Sequence, residues 1–449
     1  MLFKKLKSRR MSHAQTIALG FFITILSGAI LLMLPAASKS GQWTSFSDAL
    51  FTATSATCVT GLVVVDTFTY WTLFGQIVIL LLIQIGGLGF VTMGVLFAFF
   101  LKKRIGLAKR DLIQESVSSM RLAGVVKLVK NILVSTAVFE GVGAVLLAIR
   151  FIPKFGLAKG IYFGIFHSIS AFCNAGFDLM GEYGQYSSLV TFYDDIVVNV
   201  VIMGLITIGG LGFIVWEDLY RNKLHFTKYS LHTKIVIITS CILTFGGALL
   251  FAMFEHGNLM DGMSVKDTAL TSLFASVTAR TAGFNTIDLG AMTQASKLLT
   301  GILMFIGGSP GSTAGGIKTT TIVVVTFYVW SNIRNKSGCN ILGRRIDDEG
   351  IKKASMVFCL NLFLAVTAMV MISSIQIFDL EDLMLEVLSA IGTVGLSTGI
   401  TRSLLPVSRL IIIFLMYTGR IGSMTFALSF AHKKKVAAVR YPVENINVG

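Results

Sequence analysis

Four short motifs centred on a glycine are the residues of this sequence best suited to chemistry. Aligned on that glycine, they read Cys58-Val59-Thr60-Gly61, Cys173-Asn174-Ala175-Gly176, Arg280-Thr281-Ala282-Gly283 and Gly392-Thr393-Val394-Gly395. Glycine adopts positive φ without a Cβ penalty, so each motif can turn its carbonyl groups toward one side. Rings of such carbonyls replace the water shell of a cation in selectivity filters. The motifs therefore predict cation binding by backbone oxygens.

The spacing of the motifs indicates an internal repeat. The four glycines lie 115, 107 and 112 residues apart. Each follows a short run of small and apolar residues, in order FSDALFTATSAT, FGIFHSISAF, LTSLFASVTA and LMLEVLSAI. These runs are too short to cross a bilayer, which takes about 20 helical residues. An ordinary helix C-cap explains one such glycine but not four in register. We therefore expect four copies of a helix, re-entrant pore loop, helix unit.

Composition places these units in a membrane. Hydrophobic residues make up 54% of the 449 residues and charged residues 14%, and the mean hydropathy is +0.77. Soluble domains average about 25% charged residues. The predicted fold class is an all-α polytopic membrane protein with four helix–pore loop–helix repeats around a pseudo-fourfold central pore. Eight spanning helices and four re-entrant pore helices are expected.

The predicted elements follow from the apolar runs. Leading helices are expected at about 14–35, 129–150, 232–254 and 354–378, and trailing helices at about 72–101, 195–216, 296–330 and 407–431. The repeats then cover 1–101, 102–222, 223–340 and 341–449, the last with a cytoplasmic C-terminus. The basic start lacks a small-residue cleavage site, so the first apolar run is predicted to be a membrane helix rather than a signal peptide.

The distribution of basic residues predicts the orientation. Of 38 Lys and Arg residues, 27 fall at the two termini and in 102–130, 217–234 and 331–353. Basic residues favour the cytoplasmic side, so both termini are predicted to be cytoplasmic and the motif loops to open outward. This topology accounts for the net charge of +15 without a nucleic-acid partner. No segment between the predicted spans exceeds about 30 residues, so nucleotide sensing would need another chain.

The motif side chains favour a monovalent cation. None of the four motifs contains an acidic residue, whereas pores for divalent cations usually carry an acidic ring. Val59, Asn174, Thr281 and Thr393 differ at one aligned position, so the pore is predicted to be only pseudo-symmetric, with one dominant ion site. The five cysteines show no metal or disulfide spacing, and Cys58 and Cys173 are interpreted as small packing residues. Neither a catalytic residue nor a tightly bound cofactor is expected.

Glycine clusters also mark the trailing helices. Residues 84–90 read QIGGLGF and 207–213 read TIGGLGF, which we interpret as close helix packing. In the third repeat, FIGGSPGSTAGGIKTTT (305–321) contains too many glycines and a proline to remain helical, which predicts an unwound loop beneath the motifs. A nucleotide P-loop is excluded there because Ile317 separates Gly316 from Lys318 and no strand precedes it.

Two charges lie deep in apolar sequence, which makes them functional candidates. Arg420 replaces a glycine in the fourth trailing helix (YTGRIGS, 417–423). We expect it to hydrogen-bond the carbonyls of the unwound loop, with Lys318 at the cytoplasmic end of that loop, so that both form a barrier to cations. For Lys318, snorkelling to the interface is the alternative. Glu140, His167 and Glu386 are predicted to form buried hydrogen bonds.

Taken together, these motifs resemble the Trk/Ktr/HKT superfamily of potassium transporters. Over essentially the whole chain, including the ending VRYPVENINVG, the sequence is similar to membrane subunits of bacterial Ktr systems of the KtrB/KtrD type. The resemblance implies that K⁺ is the transported ion and that the four motifs form its filter. Some plant relatives that favour Na⁺ carry serine at the first filter glycine, where this chain has Gly61.

The site residues implied are of two kinds. The filter residues are Cys58, Val59, Thr60, Gly61, Cys173, Asn174, Ala175, Gly176, Thr281, Ala282, Gly283, Gly392, Thr393, Val394 and Gly395. The gate residues, within the family's intramembrane loop at 308–318 and facing it, are Gly311, Ser312, Thr313, Ala314, Gly315, Gly316, Lys318 and Arg420.

The resemblance also implies partners. Similar proteins form homodimers with one pore per subunit in the bacterial cytoplasmic membrane, on a cytosolic ring of nucleotide-binding subunits of the KtrA/KtrC type. Ktr systems are often stimulated by Na⁺, an expectation that comes from the resemblance alone. The alternative functions are a Na⁺-coupled or other secondary transporter of a small solute, and a membrane enzyme. Same-sense repeats and few intramembrane acids disfavour the first. A membrane enzyme would need a metal-binding cluster or a nucleophile–base pair, and the sequence shows neither pattern.

Overall fold

The computed structural model describes residues 11–100, 111–114, 124–223, 225–336, 338–430, 442 and 444. Within these ranges the chain forms four successive groups of four helices. The first two groups are α1 (His13–Met33), α2 (Phe46–Thr57), α3 (Leu73–Leu88), α4 (Phe90–Phe100), α5 (Val125–Phe155), α6 (Leu157–Phe172), α7 (Ile196–Leu211) and α8 (Phe213–Asn222). The other two are α9 (Leu231–Phe254), α10 (Val265–Thr278), α11 (Gln294–Phe305), α12 (Thr319–Ile333), α13 (Asp348–Ile375), α14 (Leu380–Gly392), α15 (Pro406–Ile421) and α16 (Ser423–Phe430).

The remaining regular structure is short. A two-residue hairpin pairs Asn340–Ile341 with Arg344–Arg345 and forms the only sheet in the described ranges. One-turn helices are Thr67–Tyr70, Pro35–Ala37, Met180–Glu182, Val190–Phe192, Phe226–Lys228 and Ile400–Ser403. Most of the basic segments used to predict orientation, including 1–10, 101–110 and 431–441, lie outside the described residues.

Each group contains one long helix and three shorter ones. The leading helices α1, α5, α9 and α13 are long and apolar enough to cross a bilayer. Each is followed by a pore helix, α2, α6, α10 or α14, of 12 to 16 residues. The leading and pore helices therefore confirm the predicted pattern, with bounds within a few residues of those expected.

All four trailing spans are broken, and the breaks in the first, second and fourth differ from the prediction. Gly89, Gly212 and Gly422 have φ of 82°, 96° and 92° and end the helices α3, α7 and α15. The chain turns by 96° between α7 and α8 and by 98° between α15 and α16. In the third group the break widens to residues 306–318, between α11 and α12. Continuous helices at 72–101, 195–216 and 407–431 were therefore wrong, because a glycine in each span leaves the helical φ region. The unwound loop expected within 296–330 is present.

Serine side chains set where two of the pore helices begin. Ser45 caps α2 by accepting the Asp48 amide at 3.2 Å, and its hydroxyl donates to Asp48 Oδ2 at 2.8 Å. Ser264 and Asp267 repeat this arrangement at the start of α10. The carboxylates thus occupy the third helical position, where they still face the positive end of the helix dipole.

The pore helices close the groups into a ring. Each pore helix packs on the first trailing helix of the group before it: α6 on α3, α10 on α7, α14 on α11, and α2 on α15. Polar contacts link the same neighbours. They are Tyr162 Oη to Gln76 Oε1 (3.1 Å), Lys266 Nζ to the Asp194 carbonyl (3.3 Å), Lys297 Nζ to Asp382 Oδ1 (3.5 Å) and Arg409 Nη1 to Asp48 Oδ1 (2.5 Å). The last contact joins the fourth group to the first.

Glycines in the trailing helices let the pore helices approach closely. A Cβ on Gly86, Gly209 or Gly419 would collide with a carbonyl at the C-terminal end of a pore helix, respectively that of Thr57, Phe172 or Ile391. The predicted packing role of the IGG glycines is present at Gly86 and Gly209. The last glycine of each IGGLGF motif, Gly89 or Gly212, instead ends the helix.

This packing predicts opposite effects of two substitutions in one helix. Gly209→Ala should lower stability by about 1–3 kcal/mol, since the added methyl overlaps the Phe172 carbonyl. Gly204→Ala is the matched control, because nothing lies within 4 Å of its Cβ position and alanine raises helix propensity by about 0.8–1 kcal/mol. Thermal unfolding of the purified protein in detergent measures both. Equal melting temperatures for the two variants would contradict the close approach.

Candidate functional site

The four sequence motifs meet in one ring. A Cβ built on Gly61 would lie 2.6 Å from the carbonyl oxygen of Ala175, and one on Gly176 would lie 2.6 Å from that of Ala282. Continuing round, a Cβ on Gly283 would lie 2.5 Å from the Val394 carbonyl oxygen, and one on Gly395 would overlap the Thr60 carbonyl. Each glycine thus touches the next group, and the fourth returns to the first. Any side chain at these positions would push the carbonyls apart.

The backbone of every motif contains two residues with positive φ. The glycines have φ of 95°, 69°, 81° and 97°, as predicted. Two residues earlier, Val59, Asn174, Thr281 and Thr393 have φ of 50°, 59°, 76° and 50°. Our expectation of one such residue per motif was therefore wrong. Asparagine tolerates this region, whereas β-branched residues are strained in it by about 1–3 kcal/mol each.

Hydrogen bonds to the pore helices hold this strained backbone. The amides of Thr60, Ala175 and Val394 each donate to a serine carbonyl in the pore helix at 2.8 Å, that of Ser55, Ser170 or Ser389. The hydroxyls of Ser55 and Ser389 also accept the amides of Gly61 and Gly395, at 3.1 and 2.9 Å. In the third motif, Thr278 lies one position closer to the glycine and its carbonyl accepts the Ala282 amide at 2.9 Å.

A cavity of about 150 Å³ opens on one side of the ring. All four glycines line it, together with Asp66, Asp178 and Asp288. These carboxylates accept backbone amides, Asp66 from Thr69 and Tyr186, Asp178 from Met180, and Asp288 from Gly290. Arg402 also lines this cavity, but the three carboxylates outnumber its single positive charge, so the mouth of the ring favours the approach of a cation.

The unwound segment 306–318 lies on the other side of the ring. A Cβ on Gly315 would collide with the Thr393 side chain, and one on Gly316 would lie 3.1 Å from the Gly392 carbonyl oxygen. Thr313 is bound through all of its polar groups. Its amide donates to the Gly209 carbonyl at 3.2 Å, and its hydroxyl lies 3.1 Å from both the Phe172 carbonyl and Asn174 Oδ1. The segment therefore sits directly beneath the second and fourth motifs.

Arg420 holds this segment against the first group. Its guanidinium donates to the Thr313 carbonyl and to the carbonyls of Gly86 and Gly87, the last at 2.9 Å. Among the described residues it forms no salt bridge, so carbonyl dipoles alone solvate its charge. The contact predicted between Arg420 and the unwound loop is present, and the second anchor on α3 is an addition to it.

The other polar residues singled out in the sequence also have partners. Lys318 Nζ donates to the Ala314 carbonyl at 2.7 Å and the Gly315 carbonyl at 3.3 Å, so it folds back on the segment rather than reaching an interface. Glu140 accepts from Gln84, His167 contacts Phe163 and Leu179, and Glu386 accepts from Ser397 and Thr401. The predicted buried hydrogen bonding of these three residues is confirmed. Cys58 and Cys173 are fully buried.

Sequence reasoning missed two parts of the site. One is the left-handed residue two before each glycine, for which only Asn174 carried a signal. The other is the set of contacts that Thr313, itself a predicted gate residue, makes with Phe172 and Asn174, since these partners lie more than 100 residues away and leave no local pattern. The helix breaks, by contrast, had a signal: Gly422 aligns with Gly89 and Gly212 when the trailing motifs are superimposed.

Comparisons with known proteins identify the family and the fold of the chain. Residues 2–438 match the family described as TrkH, cation transport protein. The chain is 42% identical to potassium/sodium uptake protein NtpJ of Enterococcus hirae over 100% of both chains. It is 40% identical to Ktr system potassium uptake protein B of Bacillus subtilis over 99% of both. The crystal structure of the potassium transporter TrkH from Vibrio parahaemolyticus has the same fold, with a TM-score of 0.74, 18% identity and coverage of 95% of this chain and 86% of that one.

The contacts of Arg420 predict how firmly the unwound segment is held. Arg420→Gln should raise the reactivity of a cysteine reporter, Ser312→Cys, toward a water-soluble thiol reagent by roughly tenfold, because a hydrogen bond from a charged donor contributes about 1.5–3 kcal/mol. The exposed Cys241 and Cys359 are first replaced by alanine. Arg402→Gln is the matched control, since Arg402 lines the opposite cavity. Unchanged labelling in Arg420→Gln would show that other contacts hold the segment.

Proposed function

Because the chain belongs to the TrkH family of cation transport proteins, we propose that it takes up K⁺ through a channel-like pore. The pore has a filter of backbone carbonyls, formed by the four glycine motifs, and a gate, formed by the segment 306–318. One observation carries this proposal: each filter glycine touches a carbonyl of the next group, so four separate stretches of chain present main-chain oxygens to one space.

The proposed path begins at the outer cavity. A hydrated cation enters between Asp66, Asp178 and Asp288 and reaches the ring of glycines. There the carbonyls preceding the glycines, those of Thr60, Ala175, Ala282 and Val394, exchange for its water molecules. The C-terminal ends of α2, α6, α10 and α14 all precede these loops, and the negative end of each helix dipole adds about half an electron charge. Helix ends and carbonyls stabilise a cation without an acidic side chain in the filter.

Selectivity for K⁺ over Na⁺ requires that the ring does not contract around the smaller ion. Here the strained left-handed residues and the pore-helix hydrogen bonds resist such movement. Glycine at all four positions also removes every side chain from the ring. Both features support a filter of defined size, and the unlike residues Val59, Asn174, Thr281 and Thr393 support a single dominant site rather than a row of equal ones.

The gate proposal depends on where the unwound segment lies. It crosses the inner side of the ring, and its carbonyls bind Lys318 and Arg420. Two positive charges in the path of a cation form an electrostatic barrier in addition to the steric one. We assign this arrangement to a closed state, in which uptake requires the segment to move away from Asn174 and Thr393.

A secondary transporter remains the alternative from a different class. Such proteins often use inverted repeats. In this chain the four pore helices all end at the same ring, so the repeats have one sense.

Relatives named as Ktr system proteins support a regulatory partner, for which we propose a cytosolic nucleotide-binding ring. We also propose a homodimer in the cytoplasmic membrane, with cytoplasmic termini. Stimulation by Na⁺ is part of the same proposal.

The filter predicts a selectivity loss on adding one side chain. Gly283→Ser and Gly395→Ser place a Cβ against the carbonyls of Val394 and Thr60, and should lower the preference for K⁺ over Na⁺ by roughly tenfold, about 1.4 kcal/mol. The measurement is K⁺ and Na⁺ uptake by a bacterium that lacks its own K⁺ uptake systems, at low external K⁺. Gly246→Ser in α9 is the control, because nothing surrounds its Cβ position. Wild-type preference in both filter variants would overturn the filter assignment.

The gate predicts faster uptake when the barrier is shortened. Deleting residues 311–316 removes Thr313 and with it the contacts to Gly209, Asn174 and Arg420. The maximal rate of K⁺ uptake should rise severalfold, while the KM changes less, because the external cavity is untouched. Size-exclusion chromatography in detergent reports whether the variant is folded. A folded variant with an unchanged or lower rate would exclude a gate at this segment.

A further inference from the structure

One buried position behind each filter loop carries a different residue type in every repeat. Counting nine residues back from the filter glycine gives Thr52, His167, Phe274 and Glu386. Each is in a pore helix and is at most 1% exposed. In the third repeat, where the loop is held one position closer to the glycine, Phe274 and Ala275 are both buried and apolar, so a pore helix packs here without an ionisable residue. An ionisable residue at the same place therefore needs another explanation, since burying it costs several kcal/mol unless it is hydrogen-bonded.

Glu386 accepts hydrogen bonds from the segment that follows the fourth filter glycine. Ser397 Oγ donates to Glu386 Oε2 at 2.7 Å, and Thr401 Oγ1 donates to Oε1 at 2.6 Å. The two hydroxyl oxygens are 3.0 Å apart, and Ser397 Oγ accepts the Gly399 amide at 3.0 Å. One carboxyl group thus ties both ends of a five-residue turn to the pore helix.

That turn borders the pore directly. Ser397 and Thr401 line the outer cavity together with Gly395. On the inner side, the Gly395 amide is held by Ser389 Oγ at 2.9 Å. Gly395 is therefore fixed from both directions, by a serine of the pore helix before it and by the carboxyl-bound turn after it. Moving the turn would move the Val394 carbonyl, which faces the third filter loop.

His167 makes the equivalent connection in the second repeat. Its Nδ1 lies 2.7 Å from the Phe163 carbonyl oxygen, so Nδ1 carries the proton and Nε2 is free to accept. Nε2 accepts the Leu179 amide at 3.3 Å, three residues beyond Gly176. In the first repeat, the Thr52 hydroxyl has no hydrogen-bond partner among the described residues. Of the four aligned residues, His167 and Glu386 therefore bind the segment after the filter glycine, and their two loops face each other across the ring.

We propose that Glu386 is a positioning residue for selectivity, which holds the fourth filter loop at the width that K⁺ requires through Ser397 and Thr401. The inference rests on the proposed function and adds a residue outside the filter itself. It depends on the hydrogen bonds of the carboxyl group and not on its charge. A neutral side chain of the same shape with hydrogen-bonding capacity should therefore be able to replace it, and an apolar one should not.

The test compares three variants in the K⁺ and Na⁺ uptake assay. Glu386→Leu removes both hydrogen bonds but keeps an apolar residue, as at Phe274, and should lower the preference for K⁺ over Na⁺ by roughly tenfold. Glu386→Gln keeps an oxygen and an N–H for the two hydroxyls and should keep most of the preference. Thr52→Val, the matched control in the first repeat, should leave the preference unchanged. Should Glu386→Leu fail to fold, Ser397→Ala removes one of the two bonds from the loop side and should lower the preference severalfold.

The outcomes separate this inference from the function on which it rests. A wild-type protein without preference for K⁺ would overturn the proposed function. A wild-type protein with that preference, retained in a folded Glu386→Leu or Ser397→Ala variant, would overturn only the role of Glu386. Equal losses in Glu386→Gln and Glu386→Leu would also overturn it, because charge rather than loop position would then be responsible.

Discussion

The contact between the glycine of each repeated motif and a carbonyl of the next repeat is the constraint on which this structure depends. It allows four backbone segments to come as close as main-chain atoms permit, and it forbids a side chain at Gly61, Gly176, Gly283 and Gly395. The same constraint extends outward by one layer, where glycines of the trailing helices lie against the last carbonyls of the pore helices. A ring built in this way has a width set by peptide geometry, which side-chain rotamers cannot adjust.

The backbone of this ring is strained, and the surrounding helices must keep it in that conformation. Val59, Thr281 and Thr393 occupy the left-handed region, where a β-branched residue is disfavoured by about 1–3 kcal/mol. The serine and threonine groups at the ends of the pore helices accept the amides of these turns and hold them in place. Strain and anchoring act together here, because the same hydrogen bonds that hold the left-handed residues also fix the position of the carbonyls in the ring.

Much of this arrangement could be predicted from the sequence because it repeats. A glycine that recurs with a period near 110 residues predicts four equivalent units, and the dense glycines at 305–321 predict a loss of helix. Features that depend on tertiary contacts could not be predicted from the sequence. Valine and threonine carry no signal for positive φ, and the motif IGGLGF looks the same whether its last glycine packs or breaks a helix. The contact of Thr313 with Asn174 joins residues whose sequence neighbours give no indication of each other.

The third repeat has an unwound segment and the fourth has Arg420. These two departures from the common pattern depend on each other. Arg420 stands where the first two repeats have Gly87 and Gly210, and a guanidinium at that depth needs acceptors. A continuous helix would offer none, because its carbonyls are occupied by its own amides. The break at Gly89 frees the carbonyls of Gly86 and Gly87, and the unwinding of 306–318 frees that of Thr313. Conversely, a non-helical segment inside a membrane protein must have its carbonyls satisfied. The Arg420 guanidinium and the carbonyls of the unwound segment and of the α3 break therefore satisfy each other's hydrogen-bonding groups.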